Sequence, residues 1–265
     1  MKLKIFFIVI FWLSSSLLHL KFSLFLVSPL ITPWGELTLK QYIYPILLTG
    51  FVLLMINLLL LHIRKPDKKI VISWLIWFAT ISLINSNFMA TPIENIHFFQ
   101  YAIIAYILLS ALNQLATDFP LSKTLYWAVS LGVIDEILQY FYITRSYSNN
   151  LDFNDFWFNM LGGIAGMLFF MSRYSIAKDS FKFMLLIRSK ELWLCTILIL
   201  SSLTLLFTFN LSIERKANSF SHWNPDFFSG TFYVLSPLEG ISIMLISLII
   251  FSFFFISFPK KLVSL

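Results

Sequence analysis

Residues 94–115 read ENIHFFQYAIIAYILLSALNQL. From Ile96 onward the stretch is almost unbroken hydrocarbon for about twenty residues, the length an α-helix needs to cross a bilayer. Its mouth is different in kind. Glu94, His97 and Gln100 place a carboxylate, an imidazole and an amide within two helical turns, and Tyr101 follows one turn after His97. With i,i+3 and i,i+4 spacing these side chains share a helical face.

The same apolar pattern recurs along the chain. Of its 265 residues 58% are hydrophobic and only 12% charged, a composition that belongs to integral membrane proteins. Apolar stretches long enough to span a bilayer fall near Ile5–Val27, Tyr42–Ile63, Ile70–Met89, Ile96–Leu115, Leu125–Ile143, Phe156–Met171, Leu192–Leu211 and Ile241–Phe258. Lipid satisfies no open backbone group, so each is expected to be a helix. The fold class expected is therefore all-α, a polytopic transmembrane helical bundle of about eight spans. The breaks carry turn chemistry: SPLITPWG, RKPDKK, TDFPLSK and HWNPDFFSG. Lys2 and Lys4 precede an apolar run too long for a signal peptide, so that run reads as a retained helix.

Cytoplasmic loops of membrane proteins are enriched in Lys and Arg. With the N-terminus inside, Lys2, Lys4, Arg64, Lys65, Lys68, Lys69, Lys123, Arg173, Lys178, Lys182, Arg188, Lys190, Lys260 and Lys261 are internal, 14 of the 19 basic residues. Lys21, Lys40, Arg145, Arg215 and Lys216 are external. An even number of spans then returns the C-terminus to the cytoplasm. The expected location is the bacterial inner membrane, multi-pass, with both termini cytoplasmic. The net charge of +6 reads as topology and attraction to anionic lipid, with no basic stripe for nucleic acid. Cys195 is the single cysteine, so no internal disulfide forms.

This topology puts Glu94 and His97 at the outer end of the fourth span. The fifth runs outward through GVIDEILQYFYITRS, with Glu136 roughly 10 Å below its outer boundary. Gln139 lies three residues after Glu136 and four after Asp135, within reach of either, while the two acids diverge by about 100° around the axis. Arg145, Asp152 and Asp155 follow, then Asn159, one turn after Asp155, and Gly162, Gly163 and Gly166, which allow close helix approach. Ionisable groups at this depth are candidates for function.

The ordered set His97, Phe98, Tyr101, then Glu136 and Gln139, then Arg145, then Asp155 and Asn159 with Gly162 and Gly166, resembles the VanZ-like membrane family over about residues 94–166. Glu94 stands where that pattern carries Asp or another polar residue. The resemblance implies a polytopic cell-envelope protein, the founding member being associated with resistance to the glycopeptide teicoplanin, and implies no settled reaction. It divides the chain into 1–90, three N-terminal spans; 91–172, the VanZ-like core; and 173–265, two C-terminal spans with an outer aromatic loop.

Candidate catalytic residues are His97, Glu136 and Asp155, since His titrates near neutral pH and paired carboxylates suit acid–base work. Candidate substrate-binding residues are Glu94, Tyr101, Gln139, Arg145, Asp152 and Asn159, with the Arg145 fork suited to phosphate or carboxylate. Each has a plainer alternative: His97 joining helices, Arg145 neutralising Asp152 or Asp155, Asp155 capping its helix, the glycines packing. His19, Lys21 and His62 read as interfacial or topological, and the aromatic loop Ser212–Glu239 as an interfacial cover or ordinary aromatic belt. A metal site could combine His97 with Glu94, Glu136 and Asp155, but with no HExxH and one histidine in the cluster no metal ligands are assigned, and the sequence leaves any cofactor open. The expected partner is an envelope lipid or lipid-linked precursor that the protein acts on; alternatives are a non-enzymatic protein that binds or transports such a lipid or an antibiotic, and a structural partner in an envelope complex.

Overall fold

The computed structural model describes residues 2–27, 29–32, 35–38, 49, 53, 56, 60, 68–87, 95–115, 119–139, 141, 153–174, 188–208, 221–222, 231–232, 235 and 237–256. Seven helices lie among the described residues: α1 (Lys2–Val27), α2 (Lys68–Asn87), α3 (Asn95–Gln114), α4 (Pro120–Leu138), α5 (Phe153–Arg173), α6 (Lys190–Thr208) and α7 (Pro237–Ile256). They coincide, within a few residues at each end, with seven of the eight apolar stretches. The remaining stretch, Tyr42–Ile63, falls largely outside the described residues. The architecture is all-α but for two short antiparallel ribbons, β1 (Pro29–Thr32) with β2 (Gly35–Thr38) and β3 (Ser221–His222) with β4 (Thr231–Phe232). Both ribbons occur in segments expected to be simple breaks; Ile31, Thr32 and Thr38 are β-branched, the side chains a strand accommodates best.

Among the described residues, Ile96–Gln114 and Leu238–Phe255 are long and apolar enough to cross a membrane. Helix α4 begins at Pro120, earlier than the expected Leu125. Proline at the first helical position has its φ already set and lacks an N–H that would be orphaned there. Phe119 before it takes a left-handed conformation, φ 53° and ψ 51°.

Helices α3, α4 and α5 form the centre. Gly162 and Gly166, one turn apart on α5, face the α3 backbone: a Cβ at Gly162 would lie 2.7 Å from the Phe98 carbonyl oxygen, and one at Gly166 would meet the carbonyl oxygen of Ala102. Gly132 of α4 in turn lies against Asn159, where a Cβ would come 2.8 Å from that residue's own Cβ. Around this centre, Trp77 Nε1 donates to the Leu161 carbonyl at 2.9 Å and Trp74 Nε1 to Ser172 Oγ at 3.2 Å, fastening α2 to α5. The Trp12 indole reaches the Leu131 carbonyl at 3.3 Å, and Tyr126 pairs with Ser252 at 2.9 Å, adding α1 and α7 to α4.

These contacts fix the direction of each helix. Lys4 Nζ donates to Ser110 Oγ and Gln114 Oε1 at 2.8 and 3.0 Å, so the start of α1 meets the end of α3. Lys123 and Glu191 pair at 3.7 Å, bringing together the starts of α4 and α6. The Leu235 amide donates to Asn154 Oδ1 at 2.9 Å, placing the start of α7 beside the start of α5. One end of the bundle thus carries Lys4, Lys123, Arg173 and Lys190. The other carries the starts of α3, α5 and α7 and the end of α4, and there the buried polar side chains gather.

Candidate functional site

His97 lies in the first turn of α3, with Gln100 and Tyr101 on the same face one turn on. Asp135, Glu136 and Gln139 occupy the last turn of α4 and the residue after it, and Asp155 and Asn159 the first two turns of α5. All but Asp155, whose side chain is 13% exposed, are buried. The close approach of α5 to α3 at the glycines, and of α4 to Asn159 at Gly132, presses three polar helix ends into one cluster.

Two hydrogen-bond networks result. In the first, Asn159 bridges: its Nδ2 donates to Glu136 Oε1 at 3.0 Å and its Oδ1 lies 2.8 Å from His97 Nδ1. An amide oxygen can only accept, so with this amide orientation Nδ1 carries the proton. His97 Nε2 faces Asp155 Oδ2 at 3.6 Å, and Nδ1 is 3.8 Å from Glu136 Oε1. The imidazole is therefore held between two carboxylates, one on each edge.

In the second network Asp135 is the acceptor. Gln100 Nε2 and the Tyr101 hydroxyl donate to its Oδ2 at 3.1 and 2.9 Å, and Gln139 Nε2 donates to its Oδ1 at 3.1 Å. One ligand atom each from His97, Asp135 and Glu136 can be chosen so that all lie within 4.8 Å of one another.

The expected catalytic residues His97, Glu136 and Asp155 thus meet, with Asn159 between them. Tyr101 and Gln139, expected to bind substrate, both donate to Asp135, one of the two acids within reach of Gln139. Glu94, Arg145 and Asp152 lie outside the described residues. Asp135 and Gln100 were not among the expected site residues, although an acid inside an apolar helix beside Glu136, and an amide on the His97 face, are the signals that mark them. Phe98 packs on Phe158 and Trp77 and supports the fold. Gly162 and Gly166 act through helix approach, as described above.

No family model, no curated protein and no solved structure matches this chain.

Proposed function

We propose that this chain is a VanZ-like integral membrane protein of the bacterial cell envelope, an eight-span inner-membrane bundle with both termini cytoplasmic. It binds or modifies an envelope lipid or lipid-linked precursor at the outer leaflet and so alters susceptibility to glycopeptides. The observation that carries this reading is the buried His97–Asn159–Glu136 relay with Asp155 at the other edge of the imidazole. It draws together, from three helices, residues of the ordered motif on which the family resemblance rests.

The membrane part of the reading is supported by an inverted distribution of polarity. Carboxylates, amides and an imidazole are buried at the centre, while Phe6, Leu17, Leu75, Ile197, Ile246 and Phe253 are exposed on the outer helices. Such an apolar surface is suited to lipid. The reacting group is His97 Nε2: Asn159 holds the proton on Nδ1, leaving Nε2, beside Asp155, as the nitrogen that takes up or releases a proton. Glu136 anchors the far side of the relay. Arg145 and Glu94 are assigned to the head group by their place in the motif, and Asp152 by its position between Arg145 and Asp155.

Glu136→Gln tests this, keeping shape while removing charge. At unchanged membrane abundance it is expected to lower growth under a glycopeptide at least to the level of a deletion strain. Full activity in that variant overturns the role of Glu136. Lipid that copurifies with the detergent-solubilised protein identifies the ligand class, and its turnover separates enzyme from binder.

A further inference from the structure

We propose that His97, Asp135 and Glu136 hold a divalent transition-metal cation, with Asp155 as the carboxylate that orients His97 from its other nitrogen. The inference deepens the lipid reading and rests on it in one respect only, the role of the ion toward a head group.

The distances point to an ion. His97 Nδ1 and Glu136 Oε1 stand 3.8 Å apart, too far for a hydrogen bond. Asn159 bridges the two in the ion-free site, and the gap also suits two donors on one metal, since bonds of roughly 2.0–2.2 Å put neighbouring ligand atoms about 3–4 Å apart. Asp135 brings a second carboxylate into the same space, the three ligand atoms lying within 4.8 Å of one another. Asn159 Oδ1, 2.8 Å from Nδ1, supplies a further oxygen at the same point. One nitrogen among oxygens suits a first-row ion such as Zn²⁺ or Mn²⁺ better than Ca²⁺ or Mg²⁺, which take oxygen ligands.

The opposite edge of the ring supplies independent support. Metal-bound histidines donate their remaining N–H to a carboxylate or carbonyl, and ligating carboxylates are themselves hydrogen-bonded. Nε2 faces Asp155 Oδ2 at 3.6 Å, just beyond hydrogen-bond range, so a small closure lets its N–H donate there, while Gln100, Tyr101 and Gln139 fix Asp135. On binding, the neutral ring moves its proton from Nδ1 to Nε2, Nδ1 takes the ion, and the new Nε2–H points to Asp155. No proton is lost overall from that neutral ring.

Charge explains what the ion does. Asp135, Glu136 and Asp155 converge against one imidazole, an arrangement that repels a phosphate. A bound dication reverses this locally and gives an anionic head group an electrophilic contact.

Full-length protein in detergent, its affinity tag removed, is stripped with a chelator and reloaded with Zn²⁺. It is then gel-filtered and assayed for metal by mass spectrometry. Wild-type protein is expected to hold about one ion per chain, with His97→Gln and Glu136→Gln reducing this at least tenfold while remaining monodisperse. Tyr126→Phe, on the α7 side of α4, is expected to match wild type. Should the buried variants fail to fold, Asp155→Asn at the partly exposed edge is expected to weaken Zn²⁺ binding by roughly 10–100-fold. Wild-type protein that takes up no Zn²⁺, or a folded variant set that holds as much as wild type, overturns the site. Phosphate-bearing lipid retained by wild-type protein that binds no Zn²⁺ removes the ion and leaves the lipid reading standing. Stoichiometric Zn²⁺ with no copurified lipid does the reverse.

Discussion

Asp135 and Glu136 are neighbours in sequence with different hydrogen-bond partners. About 100° of helical rotation separates them, so one is turned to Gln100, Tyr101 and Gln139 and the other to Asn159 and His97. Tyr101→Phe removes one donor to a buried carboxylate without changing volume. It is expected to cost about 1–2 kcal/mol, since interhelical hydrogen bonds in membrane proteins contribute little more than that, and to lower the melting temperature in detergent. Glu136→Gln is expected to show the opposite pattern, with normal abundance and lost function, and equal thermal losses in the two variants would dissolve the division of labour. The meeting of His97, Glu136, Asp155 and Asn159 was legible from spacing and expected depth. The centrality of Asp135 was not. Gln139 reaches either acid along the helix, and it is the position of α3, which brings Gln100 and Tyr101 to Asp135, that gathers further donors on that acid.

At the scale of elements, the cluster depends on how closely α5 approaches α3. Gly162 and Gly166 allow it, because a Cβ at either would meet backbone carbonyl oxygen that cannot swing aside. At Gly163 the added atom would instead meet the Ala128 methyl at 3.1 Å. Gly162→Ala and Gly166→Ala are therefore expected to destabilise by about 1–3 kcal/mol, with Gly163→Ala costing less. Melting temperatures in detergent test the order, and a more damaging Gly163→Ala would contradict the stated helix contacts. Apolar length placed seven helices well, and two of them, Ile96–Gln114 and Leu238–Phe255, are long and apolar enough to cross a membrane. The start of α4 was misplaced because Pro120 reads as a break, whereas at a first helical position it is an opening residue. The ribbons were missed for a related reason: SPLITPWG carries turn signals, and four-residue strands paired only to each other have no longer apolar pattern to announce them.

The molecule as a whole is polarised along its helices. Described lysines and arginines gather where α1, α2, α4 and α6 begin and α3 and α5 end, with Lys21 of α1 the exception. The carboxylate-rich site lies at the opposite end. If the positive-inside rule orients this bundle, the basic end is cytoplasmic and the His97 cluster faces outward. Cysteine labelling in whole cells tests this, and Cys195, the single and buried cysteine, adds no background after Cys195→Ala. Glu239, exposed in the first turn of α7 beside the site end, and Arg188, exposed just ahead of α6, are suitable positions. Glu239→Cys is expected to react with a membrane-impermeant maleimide in intact cells, and Arg188→Cys only after permeabilisation. The reverse pattern would put the cluster on the cytoplasmic side, where an outer-leaflet lipid or an extracellular glycopeptide has no route to His97, and the proposed function would fall with the orientation.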